Sequence, residues 1–195
     1  MTSRNKKNVD ADCNRSKPAC EFLILDDQAL LAQCEIHIYK ASGPGGQHRN
    51  KVSSAIRLHH KPSGITATAN DSRSQHDNKK LAIKRMRMNL AVRLRGDYCF
   101  GSQQIPAVLR ECIFVPKKSN SQAGHKLELG RKDFRFWTVA AILLDMLTSA
   151  GGQLSQVTAE LGISTGNLTK FFKIDRHLIE AVQNIRKKFN LKPIN

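Results

Sequence analysis

The sequence predicts an α+β chain: a small mixed sheet carrying a Gly-Gly-Gln loop, a long basic helix, and then a C-terminal helical unit. Three observations predict it. Apolar and polar residues alternate with the period of a strand over 34–40, 54–60 and 65–69. Residues 79–95 contain no Gly, Pro, Asp or Glu and carry seven Lys or Arg among their apolar positions. From Asp133 to the end, apolar spacing is helical, punctuated by Gly151-Gly152 and Gly162.

Taken in order, residues 1–20 have no apolar h-region and read as a flexible polar leader. A short helix over Asp27–Gln33 feeds the alternating segment from Cys34 to Lys40. A glycine-rich loop, Ser42 to Gln47, follows. The strands Ser54–His60 and Ile65–Ala69 then form a hairpin around the turn Lys61-Pro62-Ser63-Gly64. Lys79–Arg95 is a rod of roughly 25 Å at 1.5 Å per residue. The unit so defined is 21–96. Residues 97–130, with Pro106, Pro116 and a polar stretch from Lys117 to Gly124, read as a linker holding one short helix and a strand at Lys126–Leu129. Residues 131–195 are the helical unit: Phe134–Leu147, Leu154–Leu161, Thr165–Phe172 and Leu178–Phe189, with a basic tail. Phe134, Phe136 and Trp137 are expected in its core, and His59 and His60 as partly exposed hairpin residues.

Charge narrows the function. The chain has 195 residues and a net charge of +16. Residues 40–95 hold 13 basic and 2 acidic side chains, against 5 and 6 in residues 1–39 and 14 and 8 in 96–195. So concentrated a field points to nucleic-acid phosphates. The longest aliphatic run, Val139–Leu144, is far shorter than the roughly 20 residues of a membrane helix, so no membrane partner is expected. The five cysteines, 13, 20, 34, 99 and 112, include no CxxC pair; free thiols, no metal site and a reducing compartment are expected, the cytoplasm or an organellar matrix.

The loop itself fails two phosphate-binding readings. It has no Gly-Lys-Ser/Thr ending, and it does not match GxGxxG at the start of a long helix. What remains is a backbone that a large substrate can approach, with Pro44 stiffening it. Gln47 offers a backbone N–H for an oxyanion and an uncharged side chain for placing a water, and no general base. A glycine-rich turn alone is more often structural.

The surrounding residues decide between these. Ser42-Gly43-Pro44-Gly45-Gly46-Gln47-His48-Arg49-Asn50-Lys51, then Ser53-Ser54-Ala55-Ile56-Arg57-Leu58, and later Arg73-Ser74-Gln75 with Asn78-Lys79, resemble the catalytic domain of class I peptide-chain release factors and the related ribosome-rescue peptidyl-tRNA hydrolases. The resemblance covers about residues 34–95. It implies a ribosome-bound enzyme that hydrolyses the ester between nascent peptide and P-site tRNA, with Gly45, Gly46 and Gln47 as the catalytic tripeptide. In such a domain the Gln47 N–H meets the oxyanion, its side chain selects water, and a glutamine methyltransferase can N5-methylate it. The substrate's 2′-hydroxyl and ribosomal RNA would supply the base, and no cofactor is implied. His48, Arg49, Asn50, Lys51, Arg73, Gln75, Lys79, Lys80, Lys84, Arg85 and Arg87 are the expected contacts to large-subunit ribosomal RNA and P-site peptidyl-tRNA. The chain is expected to act as a monomer.

Arg49 departs from the small aliphatic residue of familiar members. With about 40 residues before the loop, codon reading is not expected, and a rescue role is. A second tripeptide, Gly151-Gly152-Gln153, lacks the flanking residues and is expected to be a helix stop and restart. Two rival readings stand beside this one. The spacing of Thr158, Gly162, Leu168 and Phe171 is helix-turn-helix-like, with Thr165, Asn167, Thr169 and Lys170 exposed on the second helix, which would make a DNA-binding regulator. The other is a ribosome-binding protein that does no chemistry.

Overall fold

The computed structural model describes residues 18–40, 53–101, 105–115 and 124–194. Three strands, β1 (Cys34–Tyr39), β2 (Ala55–His60) and β3 (Ile65–Ala69), pair in the order β1-β2-β3. Both pairings are antiparallel, Ile36 opposite Leu58 and Leu58 opposite Ala67. The expected mixed sheet is thus an antiparallel one. The β2–β3 turn is too tight for the crossover that a parallel pair requires. Gly64 takes φ +67° there, a conformation that suits glycine, and its N–H bonds to the His60 carbonyl.

Alternation assigns the faces. Ile56, Leu58 and His60 of β2 and Ala67 and Ala69 of β3 are buried, whereas Arg57, Thr66 and Thr68 are exposed. Onto β2 and β3 packs the long helix α3 (Gln75–Arg93), which buries Ala82, Ile83, Met86, Leu90 and Ala91. It begins four residues earlier than the charge pattern predicts. The Ser74 side chain accepts the Asp77 N–H and caps the first turn, so Gln75–Asn78 belongs to the helix. Ile36 and Ile38 of β1, beyond the helix, stay exposed.

Two short helices precede the sheet. In α2 (Asp27–Ala32) the Asp26 side chain caps the Ala29 N–H. The helix α1 (Ala19–Leu23) is not legible in the sequence and includes the end of the expected leader. Its buried Ala19, Phe22 and Leu23 join the sheet core, which also takes Ala141 from the C-terminal helices.

The second core belongs to α5 (Phe136–Ser149), α6 (Leu154–Leu161), α7 (Thr165–Phe172) and α8 (Arg176–Lys188). After α5, Gly152 N–H bonds to Leu147 O and Gly151 N–H to Thr148 O, with φ +60° at Gly151, the double bond of a Schellman stop. The second Gly-Gly-Gln is therefore a helix end. Residues read as a linker contribute Tyr98, Leu109, Cys112, Leu127 and Leu129 to this core. The expected short helix is α4 (Ala107–Arg110), which carries Leu109, and the expected strand is β5 (Lys126–Leu127), which carries Leu127; its partner β4 (Ile113–Phe114) is too short for periodicity to reveal.

Trp137 packs against both cores. Where they meet, Arg95 Nη1 bonds to Asp145 Oδ1 at 3.0 Å, with both side chains largely buried. Burial, only partly offset by Arg95, pushes the Asp145 carboxyl up to about 6. No helix among the described residues is long and apolar enough to cross a membrane. Cys20, Cys34 and Cys112 are free thiols.

Candidate nucleic-acid interface

Gly45, Gly46, Gln47, His48, Arg49, Asn50 and Lys51 lie outside the described residues, which resume at Ser53. The frame from which their segment departs is well defined. Tyr39 pairs with Ala55, so both of its strands end at one edge of the sheet. There the buried Asn78 acts as a clamp. Its Nδ2 donates to Ser54 O at 2.7 Å and Ser72 O at 2.8 Å, and its Oδ1 accepts Ser72 N–H at 2.9 Å. Ser72 Oγ in turn accepts the Ser74 N–H. The sequence run Arg73-Ser74-Gln75 with Asn78 thus becomes intelligible: Ser74 caps the helix and Asn78 fastens it to the returning strand. Arg73 and Gln75 stand exposed on either side of the cap.

Along α3 the cations divide. His76, Lys80 and Lys84 are exposed at spacings of four and form one stripe, while Lys79 is half-buried beside it. Lys80 and Lys84 have no carboxylate within ion-pair distance among the described residues. The two arginines differ. Arg85 donates to Thr68 O at 2.8 Å and to both Asp71 carboxylate oxygens at 2.8 and 2.9 Å, fixing the end of β3 to the helix. Its hydrogen bonds hold the Asp71 carboxyl below the ordinary range. Arg87, 20% exposed, bonds to Leu23 O, Leu25 O and Asp27 and so ties the α1–α2 corner to α3. Sequence reasoning gave Arg85 and Arg87 the same role as Lys80 and Lys84. It also missed His76, whose spacing of four from Lys80 was the available signal.

His60 departs from its expected exposure. It is fully buried, with Nδ1 2.7 Å from Ser63 Oγ, Nε2 3.1 Å from Gln33 Oε1, and its ring edge-on to Phe22. Nε2–H donates to the amide oxygen, and Nδ1 accepts the serine hydroxyl, which fits a neutral imidazole. Burial, with His59 adding to it, lowers its pKa. Its neighbour His59 is half-exposed and 3.7 Å from Glu35. No group of three His, Cys, Asp or Glu among the described residues could hold a metal ion.

In the helical unit, Gly162 at φ +64° makes the turn between α6 and α7. The Asn167 side chain donates to Leu127 O at 3.1 Å and accepts Leu127 N–H at 2.8 Å. It serves as a surrogate strand partner for β5, whereas sequence reasoning placed it free on the helix surface.

Residues 29–98, which include this sheet, its helix and the Gly-Gly-Gln segment, match the RF-1 domain. The chain is 49% identical over 66 residues to peptide chain release factor 2 of Haemophilus influenzae, covering 34% of this chain and 18% of that protein. It is 55% identical over 73 residues to peptide chain release factor 1 of Albidiferax ferrireducens, covering 34% and 20%. Over residues 29–98 the chain is thus similar to the class I peptide-chain release factors. It spans about a fifth of the length of these relatives.

Proposed function

We propose that this protein hydrolyses the peptidyl-tRNA ester on the ribosome, as a monomer, and releases the nascent peptide without reading a stop codon. The observation that carries the reading is the RF-1 domain match over 29–98, a span that holds Gly45-Gly46-Gln47. In this reading Lys80 and Lys84, with His76 in line, lie against ribosomal RNA phosphates. Asn78 and Ser74 hold the helix beside the strand end from which the catalytic segment departs. The Gln47 backbone N–H faces the oxyanion, where such donors act most strongly. Independence from the codon is part of the proposal, and release from ribosomes with an empty, sense-codon or stop-codon A site decides it.

The helix-turn-helix reading has less support. A DNA-reading helix presents its N-terminal side chains to base edges. Asn167, the amide best suited to that, is engaged by Leu127. The α6–α7 pair is a docking element in this account.

Peptide release from ribosomes charged with labelled peptidyl-tRNA tests the proposal. Gly46→Ala should lower release by two orders of magnitude or more while ribosome binding stays within about twofold, the loss typical of a misplaced oxyanion donor. Unchanged release would remove the catalytic assignment. Gln47 would also be a substrate for N5-methylation. Trypsin frees residues 41–49 as one peptide, and its mass, purified from the native host, should exceed the calculated value by one methyl group. An unmodified peptide would contradict this.

A further inference from the structure

Between α3 and the turn that opens α5 lies a cleft of about 1160 Å³, lined on one side by Lys84, Arg87 and Met88 and on the other by Arg131, Lys132, Phe134 and Arg176. Small-molecule pockets hold roughly 300–1,000 Å³ and are mostly apolar. This one is larger, and although most of its lining surface is apolar, seven of its lining residues are Lys or Arg against three Asp. Each acid is already engaged: Asp26 caps Ala29, Asp27 pairs with Arg87, and Asp133 pairs with Arg135. Arg85 and Arg131 are matched from outside by Asp71 and Asp175. Lys84, Lys132 and Arg176 have no carboxylate partner among the described residues, and all three are exposed.

The cleft also holds an aromatic ring that packs in neither core. Phe134 is 89% exposed, although the apolar pattern predicts it in the core. The physical reason is local. Asp133 Oδ1 accepts the Arg135 N–H at 2.9 Å, which starts the helix at Phe136 and leaves Phe134 in the turn before it. The Arg135 guanidinium lies 5.6 Å from the Phe134 ring centroid. A flat aromatic face beside uncompensated cations is the combination that single strands of nucleic acid use, phosphates on the cations and bases on the ring. Met88 and His177 also line a second groove of about 360 Å³ between α3 and α8, where Arg93, Lys188 and one acid, Glu180, stand. That adjacency suits an extended strand.

We infer that this cleft binds a segment of unpaired RNA, with a base stacked on Phe134 and phosphates held by Lys84, Lys132 and Arg176. The proposal concerns the face where the two cores meet and holds whether or not the Gly-Gly-Gln loop is catalytic. Trp137 lines the cleft and is the chain's single tryptophan, so its fluorescence reports on this site. The test titrates the full chain with a labelled eight-nucleotide single-stranded RNA, following label anisotropy and Trp137 emission together. The two signals should share one midpoint. Phe134→Ala should weaken binding about tenfold, the effect of losing one stacked base, and Phe134→Tyr should restore it. The double variant Lys132→Ala/Arg176→Ala should reduce the slope of log affinity against log salt by about 1.4, the single-strand value for two phosphate contacts. A silent Trp137, an unchanged Phe134→Ala, or a polyglutamate peptide binding as tightly as RNA would overturn the inference. The last result would assign the cleft to an acidic protein. No ester or ribosome is present, so the outcome is independent of whether the protein hydrolyses peptidyl-tRNA.

Discussion

His60 shows how a single side chain can be structural at a place that invites a functional reading. It is buried on the core face of β2 and bonded through both ring nitrogens, so its protonation costs the fold. Its folded pKa lies below the ordinary 6.5, and the unfolded chain therefore takes up the proton first. The resulting stability is complete above about pH 6.5 and is lost as pH falls toward the folded pKa. Urea unfolding at pH 7.5 and pH 5 should show this loss in the parent. His60→Ala should lower stability at pH 7.5 by about 2–3 kcal/mol, through the cavity and unpaired partners, and should narrow the difference between the two pH values. A parent and variant with equal pH dependence would refute the role. The hairpin itself was legible from alternation and the Lys61–Gly64 turn, but burial of His60 depends on Gln33 at the end of α2 and Phe22 of α1. No local pattern in β2 encodes those contacts.

At the scale of the element, α3 carries two kinds of basic residue in one composition. Its basic residues looked equivalent in sequence because helical periodicity gives a residue's face and not its partners. The structure separates Lys80 and Lys84, exposed and unpaired among the described residues, from Arg85 and Arg87, which fasten β3 and the α1–α2 corner. Lys80→Ala/Lys84→Ala should therefore weaken ribosome binding and flatten its salt dependence, with little change in thermal stability. Arg87→Ala should do the reverse, lowering stability by about 2–3 kcal/mol through loss of charge-assisted bonds to Asp27 and two carbonyls. Ribosome cosedimentation across a salt series, with melting curves alongside, checks both. Equal effects of the two variants on binding would contradict the division. The same limit applies to Asn167 and Phe134. Periodicity placed one on a free surface and the other in a core, and in each case a single capping or bridging hydrogen-bond arrangement reversed it.

At the scale of the whole molecule, two cores share Trp137 and an ion pair. Length and composition allowed two units, and the strongly periodic helices 154–161 and 165–172 were readable to the residue. Their union was not, because it rests on α1, Ala141 and the Arg95–Asp145 pair, which are far apart in sequence. Arg95→Ala should cost about 3 kcal/mol by leaving a buried carboxylate unpaired, whereas Arg95→Met/Asp145→Leu should come near the parent's stability. Chemical denaturation of the three proteins checks this, and a harmless Arg95→Ala would count against the joint. The candidate catalytic tripeptide was legible because it is a run of consecutive residues; the exposed basic stripe of α3 became legible only once the internally bonded arginines were set apart from it.

Release of labelled peptide from purified ribosomes whose A site is empty, or holds a sense or a stop codon, tests the central claim most directly. The account predicts release from ribosomes without a stop codon, lowered by two orders of magnitude or more in Gly46→Ala. Release confined to stop codons would contradict codon independence, and no release under any of the three conditions would contradict the hydrolase itself.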